Sequence, residues 1–475
     1  MPVISGDEYK KRIDRMHAEI WLDGSPIQGR ISEHPAFRGA IKSQGELYDL
    51  QLKHKDVMTY TSDKTGNAVG ASFLIPRTKE DLEKRRQMVQ VWARHTGGLM
   101  GRSPDYMNTA ITAYAASSTV IKGEMNSYPE RLTAFYEMAR ERDLSFTHAF
   151  VSPQYNRSSL AILEDDCTNA RIIDTTEEGI IMHGAKLLAT QGGMTDELFV
   201  LSAPGKISHE EAYAFSIPSN TKGLKFIARQ SLVGDDSAFN SPLSSRFEEM
   251  DSVVVFDHVL VPWERVFIHE NIKAVDDLYN KGKFVPLTLH QICSRQAVKT
   301  ELLLGIAQSM VESIEIGEYQ HVQSKVSEII TGLETQKALL LSAEATGKVD
   351  EDGVFLPNRQ LLYVAIHQFQ NLYPRYTEIV QLLGASGMIT IPTVKDFNSS
   401  IAPELDTYLQ SKKHTGREKV ALYRLAWDLT MSSFGTRQTL YERFFFGDPI
   451  RVSQIMYQQY DKSDATAFVQ SFLEK

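Results

Sequence analysis

The chain has 475 residues, 42% hydrophobic and 23% charged, with a formal net charge of −9 at pH 7. That length exceeds what a single core usually serves, so two or three domains are expected, and the near-average composition excludes global disorder. Acidic charge spread along the chain excludes a nucleic-acid surface, which needs clustered Lys and Arg. No apolar run approaches the ~18 residues of a membrane span.

Residues 1–12 lack the apolar core of a leader, so a cytoplasmic protein with no membrane partner is expected. Only two cysteines occur, Cys167 and Cys293, which excludes a disulfide framework and a thiolate-built metal or iron–sulfur site. None of the 13 histidines has the H-E-x-x-H spacing, so no metal is expected.

In chain order, residues 1–145 read as a helical domain. Lys79 to Arg94 is charged on one face and packs with Leu82, Met88, Val89, Val91 and Trp92 on the other. Gly97-Gly98 breaks that helix, and Pro104 begins another after a turn at Arg102. Met107 to Met138 reads as two helices, interrupted around Gly123 to Pro129.

Residues 146–272 change to short strand-like runs separated by turns. They include Ala170–Thr175, Gly179–Thr190, Glu197–Ala203, Tyr213–Pro218, Leu224–Ala228 and Ser252–Val261. Such runs suit a small barrel or sandwich.

Residues 273–475 return to helical patterning. Ala297, Val298, Leu302, Leu303, Ile306, Ala307 and Met310 form one broad stripe, and Val326, Ile329, Ile330, Leu333 and Leu340 form another. Long helices of this kind pack as a bundle. Gly347 to Pro357 reads as an exposed loop between them. Helices, a β domain and a bundle form an α+β order similar to that of acyl-CoA dehydrogenase-like flavoproteins.

Several polar residues interrupt apolar segments. Arg102 and Tyr106 share a helix face at i and i+4 and could point into one pocket, or could form a helix-start cluster with a carboxylate on Arg102. His148 is another such residue, although a lone histidine suits a core equally well. Together the three could hold a phenolate and manage its proton.

Gln154, Asn156 and Arg157 lie on a Pro-broken loop, which suits a polar cofactor or plain solvation. Thr190 precedes Gly192-Gly193, where the backbone can approach a ligand closely. No G-x-G-x-x-G element with a βαβ unit is present, which disfavours a nicotinamide fold. Gln381 and Gly384 end a bundle helix. Three phenylalanines, 444–446, precede Gly447-Asp448-Pro449 and suit burial against another chain.

Taken together and in order, these segments resemble the 4-hydroxyphenylacetate 3-monooxygenase oxygenase family over nearly the whole length. The most specific stretch runs from Ser241-Pro-Leu-Ser-Ser-Arg-Phe-Glu-Glu-Met-Asp through Val261-Pro-Trp-Glu-Arg-Val-Phe267, supported by His34-Pro-Ala-Phe and Leu47-Tyr-Asp-Leu. The resemblance implies a homotetramer that takes FAD as FADH2 from a separate NAD(P)H flavin reductase. Dioxygen then forms a C4a-hydroperoxyflavin, which hydroxylates a phenol ortho to its hydroxyl, giving a catechol.

It also implies that Arg102, Tyr106 and His148 are the phenol-binding and catalytic trio, with His148 near the flavin as well. His290 is a second acid/base candidate and Ser202 a contact for the substrate tail. Gln154, Asn156, Arg157, Thr190, Gln381, Gly384, Gly447, Asp448 and Pro449 are implied FAD contacts. The loop Ser202-Ala-Pro-Gly-Lys carries fewer hydroxyls than in acetate-specific members, so chlorophenol and nitrophenol substrates stay open. A 4-hydroxybutyryl-CoA dehydratase needs three cysteines and is excluded. A non-catalytic flavin-binding protein is the other class of reading, and the presence of all three trio residues argues against it.

Overall fold

The computed structural model describes residues 3–155, 168–205, 208–235 and 237–473. The N-terminal region carries helices α1 (Gly6–Met16), α2 (Arg38–Lys53), α3 (Lys79–Thr96), α4 (Pro104–Ala116) and α5 (Pro129–Arg142), with strands β1 (Ile20–Leu22) and β2 (Ser25–Pro26) between α1 and α2. Helix α3 starts at a capping box between Thr78 and Asp81 and stops at Gly97, whose φ of 62° glycine adopts without the penalty a Cβ brings. Helix α4 has Pro104 in its first turn, where the missing N–H removes no helical bond.

The middle region supplies β3 (Phe146–Ala149), β4 (Arg171–Thr175), β5 (Gly179–Thr190), β6 (Glu197–Leu201), β7 (Tyr213–Pro218), β8 (Leu224–Ala228), β9 (Asp251–Pro262) and β10 (Val266–His269). They form a six-stranded sheet in the order β2-β1-β8-β9-β5-β4 and a four-stranded sheet in the order β10-β7-β6-β3. Strand β1 pairs in parallel with β8, Ile20 opposite Phe226, so the N-terminal region contributes an edge to the β layer. The inner faces bury Met182, Leu198, Val200, Phe215, Phe226, Val254 and Phe256 in one core.

The C-terminal region holds α6 (Ile272–Asn280), α7 (Phe284–Ser313), α8 (Gln320–Ala345), α9 (Arg359–Gly384), α10 (Gly416–Thr430), α11 (Ser433–Phe444), α12 (Pro449–Gln459) and α13 (Ser463–Leu473). Helix α7 is buried on every side from Val285 to Thr300, as a bundle's central helix must be. The segment expected as an exposed loop instead forms a two-stranded ribbon, Lys348–Val349 with Phe355–Leu356, because Phe355 packs back toward Leu82 and Leu287.

A second core joins all three regions. In it Tyr114 of α4 lies parallel between Phe199 of β6 at 5.7 Å and Phe284 of α7 at 4.9 Å. That sandwich fixes the rotation of α4 and hence the direction of its first turn.

Candidate active site

The turn between α3 and α4 is held from the β layer. The buried Glu249 carboxylate accepts the backbone N–H groups of Gly101 at 2.8 Å and Arg102 at 2.6 Å. Gln191, after β5, donates to the Arg102 carbonyl at 3.1 Å and to Glu249 at 3.2 Å. Gly101 has no side chain where one would collide with the Tyr441 hydroxyl. Helix α4 is anchored as well, by Gln291 donating to Asp105 at 2.9 Å and Arg85 donating to Thr109 at 2.5 Å.

The side chains of the trio converge on that frame. The Arg102 guanidinium lies 4.6 Å from the Tyr106 ring centre, and the Tyr106 and His148 rings are 5.8 Å apart. Helix α11 and the turn after it close one side. Tyr441 accepts from Arg102 Nη1 at 3.0 Å, and the Phe445 ring sits 4.7 Å from the guanidinium and 5.3 Å from Tyr106. Phe445 is therefore covered by its own chain, because the turn of α11 brings it over Arg102. Phe446 also packs against the shared core, whereas Phe444 stays 46% exposed.

Charge separates this site from its surroundings. Three guanidinium groups approach the Tyr441 ring, those of Arg437, Arg295 and Arg102. Arg295 makes a two-pronged pair with Glu442 at 2.6 and 2.9 Å, and Arg437 pairs with Asp251 at 2.7 Å. Arg102 is 5% exposed, and among the described residues its side chain donates hydrogen bonds only to the Gly101 carbonyl and the Tyr441 hydroxyl. The nearby Glu249 is engaged by the backbone of the same turn.

Two buried atoms here, Arg102 Nε and His148 Nδ1, have no hydrogen-bond partner among the described residues. Burial, reinforced by the Arg102 charge, holds the His148 imidazole well below its ordinary 6.5, so it is neutral at pH 7. Burial pushes the Tyr106 phenol up against the opposing pull of Arg102, so Tyr106 stays protonated. The site thus offers a cation, a phenol donor and a neutral imidazole.

The other sequence candidates fall in several places. Thr190 is buried and donates to Asp251 at 2.7 Å. Ser202 donates to the Glu211 carbonyl and accepts the Tyr213 N–H, so its hydroxyl is engaged within the β6–β7 connection. His290 is not brought to the trio; it is buried against Glu344 at 2.7 Å, a carboxylate shared with Arg86. Gln381 donates to the Thr430 carbonyl at 3.0 Å, and Gly384 packs against Met388 and Met310 in a core separate from that of Tyr106.

Gly447 has a φ of 106°, Asp448 caps α12 and Pro449 opens it; Gln370 donates to the Gly447 carbonyl at 2.8 Å. Gln154 is exposed, while Asn156 and Arg157 lie outside the described residues. Sequence reasoning missed Glu249, Gln191 and the roles of Tyr441 and Phe445. The last two stand at i and i+4 on one helical face, a spacing that could have marked them.

Family comparison accounts for both halves of this architecture. Residues 5–268 match the family described as 4-hydroxyphenylacetate 3-hydroxylase N terminal, and residues 275–474 match 4-hydroxyphenylacetate 3-hydroxylase C terminal. The chain belongs to the 4-hydroxyphenylacetate 3-hydroxylase family. It is 53% identical to the probable 4-hydroxyphenylacetate 3-monooxygenase of Bacillus subtilis (strain 168), covering 100% of this chain and 99% of that one.

It is 41% identical to the 4-hydroxyphenylacetate 3-monooxygenase oxygenase component of Thermus thermophilus, over 99% of this chain and 97% of that protein. A crystal structure of such an oxygenase component, complexed with FAD and 4-hydroxyphenylacetate, superposes with a TM-score of 0.94 at 41% identity and covers 99% of this chain and 98% of that one. A glutaryl-coenzyme A dehydrogenase structure, only 10% identical, superposes with a TM-score of 0.53 over 82% of this chain and 83% of that one, in keeping with an acyl-CoA dehydrogenase-like fold. No helix among the described residues is long and apolar enough to cross a membrane.

Proposed function

We propose that the chain is the oxygenase component of a two-component flavin monooxygenase, converting a 4-hydroxyphenylacetate-like phenol to a catechol with FADH2 and dioxygen. The observation that carries this reading is the buried Arg102, paired with no carboxylate among the described residues and standing beside Tyr106 and the unpartnered Nδ1 of His148.

The guanidinium shifts a phenol placed there toward phenolate, and the neutral imidazole, although burial and the same charge weaken it as a base, is the group positioned to take or return the proton. Phenolate makes the ring carbon ortho to the oxygen electron-rich. Tyr106 donates to the substrate oxygen and orients it, and Phe445 and Tyr441 exclude water from one side.

Reduced FAD with dioxygen supplies the electrophilic oxygen. The donor set fits that group. Asn169 is 2% exposed, yet neither of its amide atoms has a partner among the described residues. Thr190 directs its proton to Asp251, leaving an oxygen lone pair that suits an N–H of the reduced ring. Thr190, Gln154, Asn156, Arg157 and the Gly447-Asp448-Pro449 turn are the proposed contacts, with Gln381 and Gly384 reaching FAD only from another subunit. A homotetramer and a separate NAD(P)H flavin reductase belong to this reading, as does a cytoplasmic location. Exposed apolar residues on the last helices, Ile450, Phe468 and Phe472, support assembly.

The test is a panel of 4-hydroxyphenylacetate, 4-nitrophenol and 4-chlorophenol with FAD, NADH and a separate flavin reductase, read for catechol. One of them is hydroxylated, and only when the reductase is present. NADH oxidation by the purified chain alone, or no catechol from any phenol, overturns the assignment. The para substituent is open because Ser202 is engaged, and a relative 31% identical is named 4-nitrophenol 2-monooxygenase, oxygenase component.

A further inference from the structure

Midway along the same strand pair that carries Thr190, at its bulge, three metal-ligating side chains meet on the surface. His183 lies in β5, and Asp257 and His258 lie in β9. One ligand atom from each lies within 4.8 Å of the others.

The register of the two strands explains the meeting. Phe256 pairs with Gly184 and Val259 with Met182, so two β9 residues, Asp257 and His258, oppose the single residue His183. Such a bulge re-aims side chains that regular alternation would send to opposite faces. His258 takes a φ of 54°, a left-handed backbone that few residues other than glycine adopt. The two imidazole rings come to 4.7 Å at 49°. His258 Nδ1 is 3.0 Å from one Asp257 oxygen, and Lys225 Nζ is 3.7 Å from the other.

We propose that His183, Asp257 and His258 form a surface site for a divalent transition-metal ion, Zn2+ being the metal that fits, which clamps β5 to β9 across the bulge. The two imidazoles are borderline donors that favour Zn2+, the carboxylate is a harder donor that Zn2+ also accepts, and water completes the coordination. Mg2+, which favours oxygen ligands and gives up water reluctantly, fits poorly. Lys225 competes for the same carboxylate and sets the affinity lower than three free ligands would. The site stands seven residues along β5 from Thr190, roughly 20 Å at a strand's rise, and does not depend on the hydroxylase reading.

The full chain, cleared of metal with a chelator, is titrated with ZnCl2 by calorimetry. The expected result is one Zn2+ per chain that excess Mg2+ does not displace. Binding should weaken at least about tenfold in the His183→Ala/His258→Ala double variant and in Asp257→Asn, and should tighten in Lys225→Met. All these positions are at the surface, and unfolding temperatures of the metal-free variants report that the fold is kept. Should the double variant fail to fold, Asp257→Asn and Lys225→Met carry the test in opposite directions. Equal Zn2+ affinity in wild type and every folded variant, or no saturable binding by the wild type, overturns the proposal.

Discussion

Replacing Arg102 by lysine and, separately, by methionine tests whether this guanidinium is the charge that holds the phenolate. Its Nη1 is already shared between the Gly101 carbonyl at 3.1 Å and the Tyr441 hydroxyl at 3.0 Å, so a substrate must be met by another nitrogen of the same group. Lysine has one nitrogen and cannot serve Tyr441 and the substrate together. Loss of one charge-assisted hydrogen bond costs about 1.5–3 kcal/mol, which lowers kcat/KM by roughly 10- to 150-fold.

Methionine removes the charge as well. For a phenolate about 4 Å away at an effective dielectric constant of about 20, that attraction is about 4 kcal/mol, close to a thousandfold in rate. The assay is catechol formation with FAD, NADH and a separate reductase, run beside a measurement of reduced-FAD affinity. If the two variants lose activity equally, or if reduced-FAD binding weakens by the same factor as hydroxylation, Arg102 is not the phenolate anchor.

His148→Ala should divert reduced flavin to hydrogen peroxide and lower catechol yield by ~10²–10⁴-fold, the usual worth of a proton-handling group; an unchanged catechol-to-peroxide ratio in the folded variant removes His148 from the mechanism. In the wild type the acid limb of hydroxylation should lie below pH 6.5, because burial and the Arg102 charge both disfavour the imidazolium; a limb above 6.5 contradicts the neutral His148. Glu442→Gln leaves Arg295 and Lys299 buried without their carboxylate and should lower stability by about 3–5 kcal/mol, read as a lower urea midpoint at pH 7. Burial raises the Glu442 carboxyl, but Arg295 and Lys299 outweigh it and hold it at about 2, below its ordinary 4.5. The stabilisation is therefore full above pH 4.5 and lost as pH falls toward 2, and the gap between the two proteins should close over that window. A gap that persists at pH 2 refutes the ion-pair account.

Much of the local structure was legible in the residues alone. Gly97 and Pro104 mark helix ends because backbone restriction acts within a few residues, and β5, β7 and β8 begin and end where alternation and turn residues place them. The family resemblance named His148 as the companion of Arg102 and Tyr106, but the shared helix face expected of that pair did not form: Arg102 lies in the turn before α4, and the hold of Glu249 on that turn brings its guanidinium over the Tyr106 ring.

What sequence could not decide was which distant groups answer which charge. Tyr441 reaches Arg102 across 339 positions, and Glu249 reaches its backbone across 147. His290 is claimed by Glu344 in the bundle, 54 positions away, and is held apart from the trio. Strand β1 leaves the helical region to extend the sheet beside β8. Propensity and periodicity depend on neighbours along the chain, so a short window of sequence contains them. The partner of a buried charge depends on desolvation and packing summed over the whole fold, and no short window carries that sum.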